Sequence, residues 1–183
     1  MGKLCNSCLT GKQRRTSFSK KASYRAKELL ELVHSDLCEP ITPATHGGRR
    51  FFLLVDDSSR YMWLTLLSSK AEAAEAVKHF KARVESESGK KLKVLRTDRG
   101  GEFTSVEFTQ YYADEGVGRY LTALYSPQQN SVVEHRNQTI VGMARSMLKA
   151  KGMPVAFWGE AITTAIYILN RSPDKKSEED HTI

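Results

Sequence analysis

Two aromatic and aliphatic runs, Phe51 to Val55 and Tyr61 to Leu67, are separated only by Asp56-Asp57-Ser58-Ser59-Arg60. Apolar runs of strand length joined by so short a polar turn form an antiparallel hairpin. The stretch from Leu30 to Leu37 precedes them and predicts a third strand with Asp36 near its end, making a three-strand meander. The period then changes. Ala73, Ala74, Val77, Phe80 and Val84 recur at helical spacing between Lys70 and Ser86, with Gly89 beyond them as a terminator. Leu92 to Leu95 reads as a strand, Thr104 or Ser105 as the cap of a helix through Asp114, and Arg119 to Leu121 as a last short strand. A long helix is expected from Ser131 to Lys151, with Val133, Ile140, Ala144 and Met147 on one core-facing stripe, and another from Pro154 to Leu169.

With 183 residues, 40% hydrophobic and 27% charged, the chain suits one folded domain and not a disordered polymer. Composition divides it into a basic arm at 1–27, a core at 28–174 and a charged tail or linker at 175–183. No apolar run approaches the roughly 20 residues that cross a bilayer, and no signal-peptide pattern follows Met1. Three cysteines make no disulfide framework, so a nuclear or cytoplasmic location is expected. The net charge is +7, and the basic run from Lys12 to Lys27 contains no acid, which points to a polyanionic partner. Arg14, Arg15, Lys20 and Lys21 would bind phosphates without sequence preference; a solvated linker is the alternative.

The acids carry the sharper signal. Breaking and joining phosphodiesters requires hard cations at the attacking and leaving oxygens, hence carboxylates converging from rigid elements. Asp36 ends the first expected strand and Asp98 follows the fourth, and in a mixed sheet these strands can be neighbours. Glu134 opens the long helix, with 35 residues between it and Asp98. Asp56 and Asp57 are expected to serve the hairpin turn, and Glu102 to cap or orient the loop after Asp98.

The block Thr97-Asp98-Arg99-Gly100-Gly101-Glu102-Phe103, then Ser126-Pro127-Gln128-Gln129-Asn130 and Glu134, resembles the integrase core of copia-type long-terminal-repeat retrotransposons. His34-Ser35-Asp36-Leu37, Asp56-Asp57, Phe157-Trp158 and Asn170-Arg171-Ser172-Pro173 match that family in order, so the resemblance covers roughly Cys5 to Pro173. It implies an α/β ribonuclease H-like fold, a five-stranded mixed sheet flanked by helices. It also implies a triad on Asp36, Asp98 and Glu134 that binds Mg²⁺ or Mn²⁺ and catalyses processing of DNA 3′ ends followed by strand transfer. Its partners would be element ends and target DNA, with at least a dimer of the chain when active.

Two positions depart from the family pattern. Ser131 stands where Gly is usual after Gln-Gln-Asn, which restricts positive φ, although a serine there can cap the helix. His135 stands where Arg is usual, which removes a permanent cation. Gln128, Gln129, Asn130, His135, Gln138 and Arg145 are the expected DNA contacts, the last two lying four and eleven positions after Glu134 on its helix face. Cys5 and Cys8 resemble half of the family's amino-terminal zinc module. Two thiols fall short of the four ligands of a structural site, so Zn²⁺ is not expected to be held. Trp63, Phe157 and Trp158 are assigned to core packing in preference to base stacking. Two other functions share much of this logic: a DNA-binding relic without catalysis, and a ribonuclease H-like nuclease.

Overall fold

The hairpin is present: β2 (Arg50–Asp56) pairs antiparallel with β3 (Met62–Leu67), Val55 lying against Met62. The structure is a computed structural model that describes residues 24–98, 100–103, 105–121 and 131–172. The first strand, β1 (Val33–Leu37), is shorter than expected because Leu30 has a φ of 63°. That left-handed conformation turns the chain instead of extending it. The strands β4 (Val94–Thr97) and β5 (Gly118–Leu121) complete a five-stranded sheet in the order β3-β2-β1-β4-β5. β1 runs antiparallel to β2, while β4 is parallel to both β1 and β5. The expected α/β architecture, a five-stranded mixed sheet of ribonuclease H-like form flanked by helices, is therefore what the chain adopts.

Among the described residues, four α-helices cover the sheet. After a 3₁₀ turn at Lys70–Glu72, α1 (Ala73–Ser88) ends at Gly89, whose φ of 68° lets its N–H reach the Glu85 carbonyl. Of the two candidate caps, Ser105 is the one used: its hydroxyl oxygen accepts from the Phe108 N–H at the start of α2 (Val106–Asp114). The long helix is α3 (Ser131–Ala150), and α4 (Trp158–Leu169) follows a 3₁₀ turn at Val155–Phe157. Whether the Ser131 side chain caps α3 lies outside the described residues, as does the Glu102 side chain.

β2 reads as a continuous apolar run because both of its faces are covered. Phe52 and Leu54 pack with Val33 and Leu95 under α1 and α2, where Phe80, Phe108 and Tyr112 supply the opposing bulk. Phe51, Leu53 and Val55 face α3 and α4, meeting Val133, Ile140, Ala144, Ile162 and Ala165. Trp158 is buried and Trp63 packs edge-on against Phe80, as core residues should. Phe157 is not one of them; it is 42% exposed because the 3₁₀ turn points it away from the cluster that its neighbour enters.

The acid pair at the hairpin divides its work. Asp56 serves the turn as expected, accepting from the Ser59 N–H at 2.8 Å and from the Ser58 and Ser59 hydroxyls, but it also accepts from the Leu30 N–H at 2.8 Å. Asp57 instead accepts from the Ala26 N–H at 2.7 Å and Arg60 at 2.8 Å, with His34 Nε2 3.0 Å away. Burial alone would raise the Asp57 carboxyl; His34, Ala26 and the Arg60 charge together hold it at about 2. The two acids thereby tie the entry to β1 onto the β2–β3 turn. Asn170, just past α4, acts similarly at the sheet edge by exchanging two hydrogen bonds with the Met62 backbone.

Asp56→Ala would leave the fully buried Leu30 N–H without its acceptor and release the turn. It should destabilise the fold by about 3 kcal/mol in urea unfolding, against less than about 0.5 kcal/mol for Glu107→Ala on the exposed side of α2.

Candidate functional site

The β1–β4 pairing decides where the acids fall. Val33 lies against Leu95 and His34 against Arg96, so the same register carried two residues further sets Asp36 across from Asp98. Alternation along β1 turns Asp36 to the face covered by α3, opposite Leu53 of β2. Asp98 is held from both sides. Ahead of it, β4 fixes the backbone through Thr97; beyond it, Phe103 is buried and stacked on Phe52, and its N–H donates to the Gly100 carbonyl at 3.0 Å. Within that turn the Gly100 N–H donates to Asp98 Oδ1 at 3.0 Å, which orients the carboxylate.

Glu134 enters from above, on the first turn of α3. Its helix is seated by Val133, Ile140 and Ala144 in the core, so the residues one face round from this stripe look toward Asp36. Asn137 Nδ2 donates to Asp36 Oδ2 at 2.7 Å, joining helix to strand. Burial raises the Asp36 carboxyl; the Asn137 hydrogen bond lowers it, and the negative charge of Asp98 raises it again. Burial also raises Glu134, with Asp36 adding to the rise and His135 opposing it. The three acids therefore form one electrostatic set centred on Asp36.

An open groove of about 530 Å³ runs along this face, lined by Asp36, Glu134, Asn137, Gln138, Val141, Gly142 and Arg145. The helical members fall at intervals of three and four, which is a single stripe of α3. Gln138 and Arg145 are thus in the groove, as the spacing predicted. His135 is exposed and set beside the groove, not among its lining residues, because one position along a helix is a rotation of roughly 100°. Asn137 was missed by the sequence reading, although the spacing that selected Gln138 also selects a residue three positions after Glu134. Gln128, Gln129, Asn130, Arg14, Arg15, Lys20, Lys21, Cys5 and Cys8 lie outside the described residues.

Whether this set suits a metal ion can be judged from its chemistry. Carboxylate oxygens are the donors that Mg²⁺ and Mn²⁺ prefer, and Asp36 and Glu134, both raised by burial and by a neighbouring acid, would gain from a nearby cation. Among the described residues, however, no three His, Cys, Asp or Glu side chains are gathered closely enough to hold a metal ion. One oxygen of Asp36 and one of Asp98 are engaged by Asn137 and Gly100. The donor chemistry fits a divalent cation, while the side chains are placed as neighbours and not as a closed ligand shell.

A carboxylate raised above its ordinary value adds stability while protonated and loses it as pH rises through the raised value. Asp36 has an ordinary value of 3.8, so its ionised form at neutral pH works against the fold. Asp36→Asn, which can still accept from Asn137, should raise the melting temperature at pH 7 by more than at pH 4. Scanning calorimetry at both pH values tests this, and an equal or negative change at pH 7 would contradict it.

Comparison with known proteins gives the chain a family and a fold. Residues 27–127 match the integrase core domain family. Over 172 residues, 93% of the chain, it is 45% identical to the retrovirus-related Pol polyprotein from transposon TNT 1-94 of Nicotiana tabacum, and it spans 13% of that protein. It is 28% identical over 169 residues, 92% of the chain, to the Pol polyprotein from transposon RE2 of Arabidopsis thaliana, spanning 11% of it. Among solved structures, it superposes with a TM-score of 0.66 on a chain of the simian T-cell lymphotropic virus intasome in complex with PP2A regulatory subunit B56 gamma. That match is 16% identical and covers 89% of this chain and 56% of the other. The relatives are thus many times longer, and the likeness to the intasome chain is one of fold. The chain belongs to the integrase core domain family, on the copia-type long-terminal-repeat retrotransposon branch that its sequence resembles.

Proposed function

We propose that the groove beneath α3 is the active site of a polynucleotidyl transferase that processes DNA 3′ ends and transfers them to a target strand, with Asp36, Asp98 and Glu134 as its catalytic acids. Membership of the integrase core family gives the chain a place in DNA integration. The observation that carries the finer reading is that acids from three separate parts of the sequence are brought near one another, two at the ends of the central β1–β4 pair and one on the helix above, Asp98 and Glu134 each coupled to Asp36.

Mg²⁺ or Mn²⁺ held by these acids would activate the attacking oxygen and stabilise the leaving one. The chain's own residues do the rest. Asn137 fixes one oxygen of Asp36, itself a lining residue of the groove. The Gly100 N–H fixes one oxygen of Asp98. Arg145 and Gln138 offer the DNA backbone a cation and a neutral hydrogen-bonding group along the groove. Joining two ends in concert would call for at least a dimer.

The test is incubation of the protein with Mn²⁺ and either a labelled DNA duplex or an RNA–DNA hybrid. Joined DNA products are expected, falling by about a thousandfold in Asp98→Asn while duplex binding is retained. Cleavage of the hybrid alone would identify a ribonuclease H-like nuclease. Binding with no product from the wild-type protein would identify a DNA-binding relic. Asn137→Ala should cut the joining rate by roughly 10–100-fold without loss of duplex binding, because the acid it steadies is left free to rotate.

A further inference from the structure

Beside the groove, α3 and α4 part over a second cavity of about 370 Å³. Its size falls within the range of roughly 300–1,000 Å³ typical of small-ligand sites. The walls are apolar: Leu148 from α3, Ile162 from α4, Met153 between the helices, and Ile41 from the β1–β2 connection. Trp158 adds part of its ring. This pocket has a fixed side. Trp158 Nε1 donates to the Pro43 carbonyl at 2.8 Å and the Thr45 hydroxyl donates to Glu160 at 3.0 Å, which pins the connection bearing Ile41 to the start of α4.

The pocket and the groove adjoin, since Val141 and Arg145 line both. Arg145 and Lys149 also place two cations on the otherwise apolar wall. A purely aliphatic ligand accounts for the walls but not for the cations, and a phosphate alone accounts for the cations but not for the walls. A nucleotide accounts for both, because its base has apolar faces and its phosphate is anionic.

We infer that this pocket receives an unpaired base of the DNA strand whose backbone lies in the adjoining groove. The inference rests on the reading of the groove as a DNA site. The groove holds the phosphates near Asp36 and Glu134, Arg145 marks the point where the strand turns, and the base leaves the stack to pack against Leu148 and Trp158.

Fluorescence anisotropy with a blunt duplex, and with the same duplex carrying a short single-stranded extension, tests this directly. The wild-type chain should bind the extended duplex roughly tenfold more tightly, and 2-aminopurine in the extension should change its emission on binding. Leu148→Trp, which fills the pocket, should abolish that preference and leave blunt-duplex affinity unchanged. Met153→Ser should reduce the preference severalfold; Met153 is 43% exposed, so this neutral change decides the matter if the tryptophan variant does not fold. Equal wild-type affinity for the two duplexes, or a preference that survives both folded variants, overturns the pocket while leaving the groove as a DNA site. Failure of the wild-type chain to bind either duplex overturns the groove reading itself, and the pocket with it.

Discussion

The parallel pairing of β1 with β4 is the interaction on which the site depends. Strands far apart in sequence pay a loop-closure entropy to pair, and here the intervening hairpin and α1 bring them together. Once they are paired, the register that sets His34 against Arg96 brings Asp36 and Asp98 to the same end of two central strands. Their charges are then forced into proximity, and the fold carries that repulsion through the rest of its packing.

That packing is arranged to keep the register from slipping. The entry to β1 is tied to the β2–β3 turn by Asp56 and Asp57, so a shift of β1 would break hydrogen bonds at Leu30, Ala26 and His34 together. On the other side, Phe103 stacked on Phe52 anchors the chain just past Asp98. α3 is seated by Val133, Ile140 and Ala144, which sets the rotation at which Glu134 and Asn137 meet Asp36. Rigid elements thus hold the acids, and the Asn137 bond removes one degree of freedom at Asp36. The same seating of α3 against α4 shapes the apolar pocket, so the two cavities share a structural origin as well as a wall.

Much of the architecture was legible from periodicity. The hairpin, α1 with its glycine terminator, and the core stripe of α3 follow from apolar spacing, because burial rewards that spacing wherever the rest of the chain lies. Boundaries were less so. β1 starts later than its apolar run because Leu30 turns in the left-handed region, a conformation supported by the remote carboxylate of Asp56. Phe157 was read as core because it is aromatic and adjacent to Trp158, yet neighbours at the start of a helix point in different directions.

The sequence by itself determined the order of elements and the face of α3 that carries Gln138 and Arg145, since these depend only on local period and spacing; Asp36, Asp98 and Glu134 it offered as candidates through a family resemblance. Only the tertiary structure decided that Asp36 faces Asp98, that Asn137 holds it, that His135 lies beside the groove, and that an apolar pocket adjoins Arg145. Those facts are relations between segments separated by many residues. They are settled by strand register and by the rotation at which a helix packs, and neither quantity is written in any single stretch of chain.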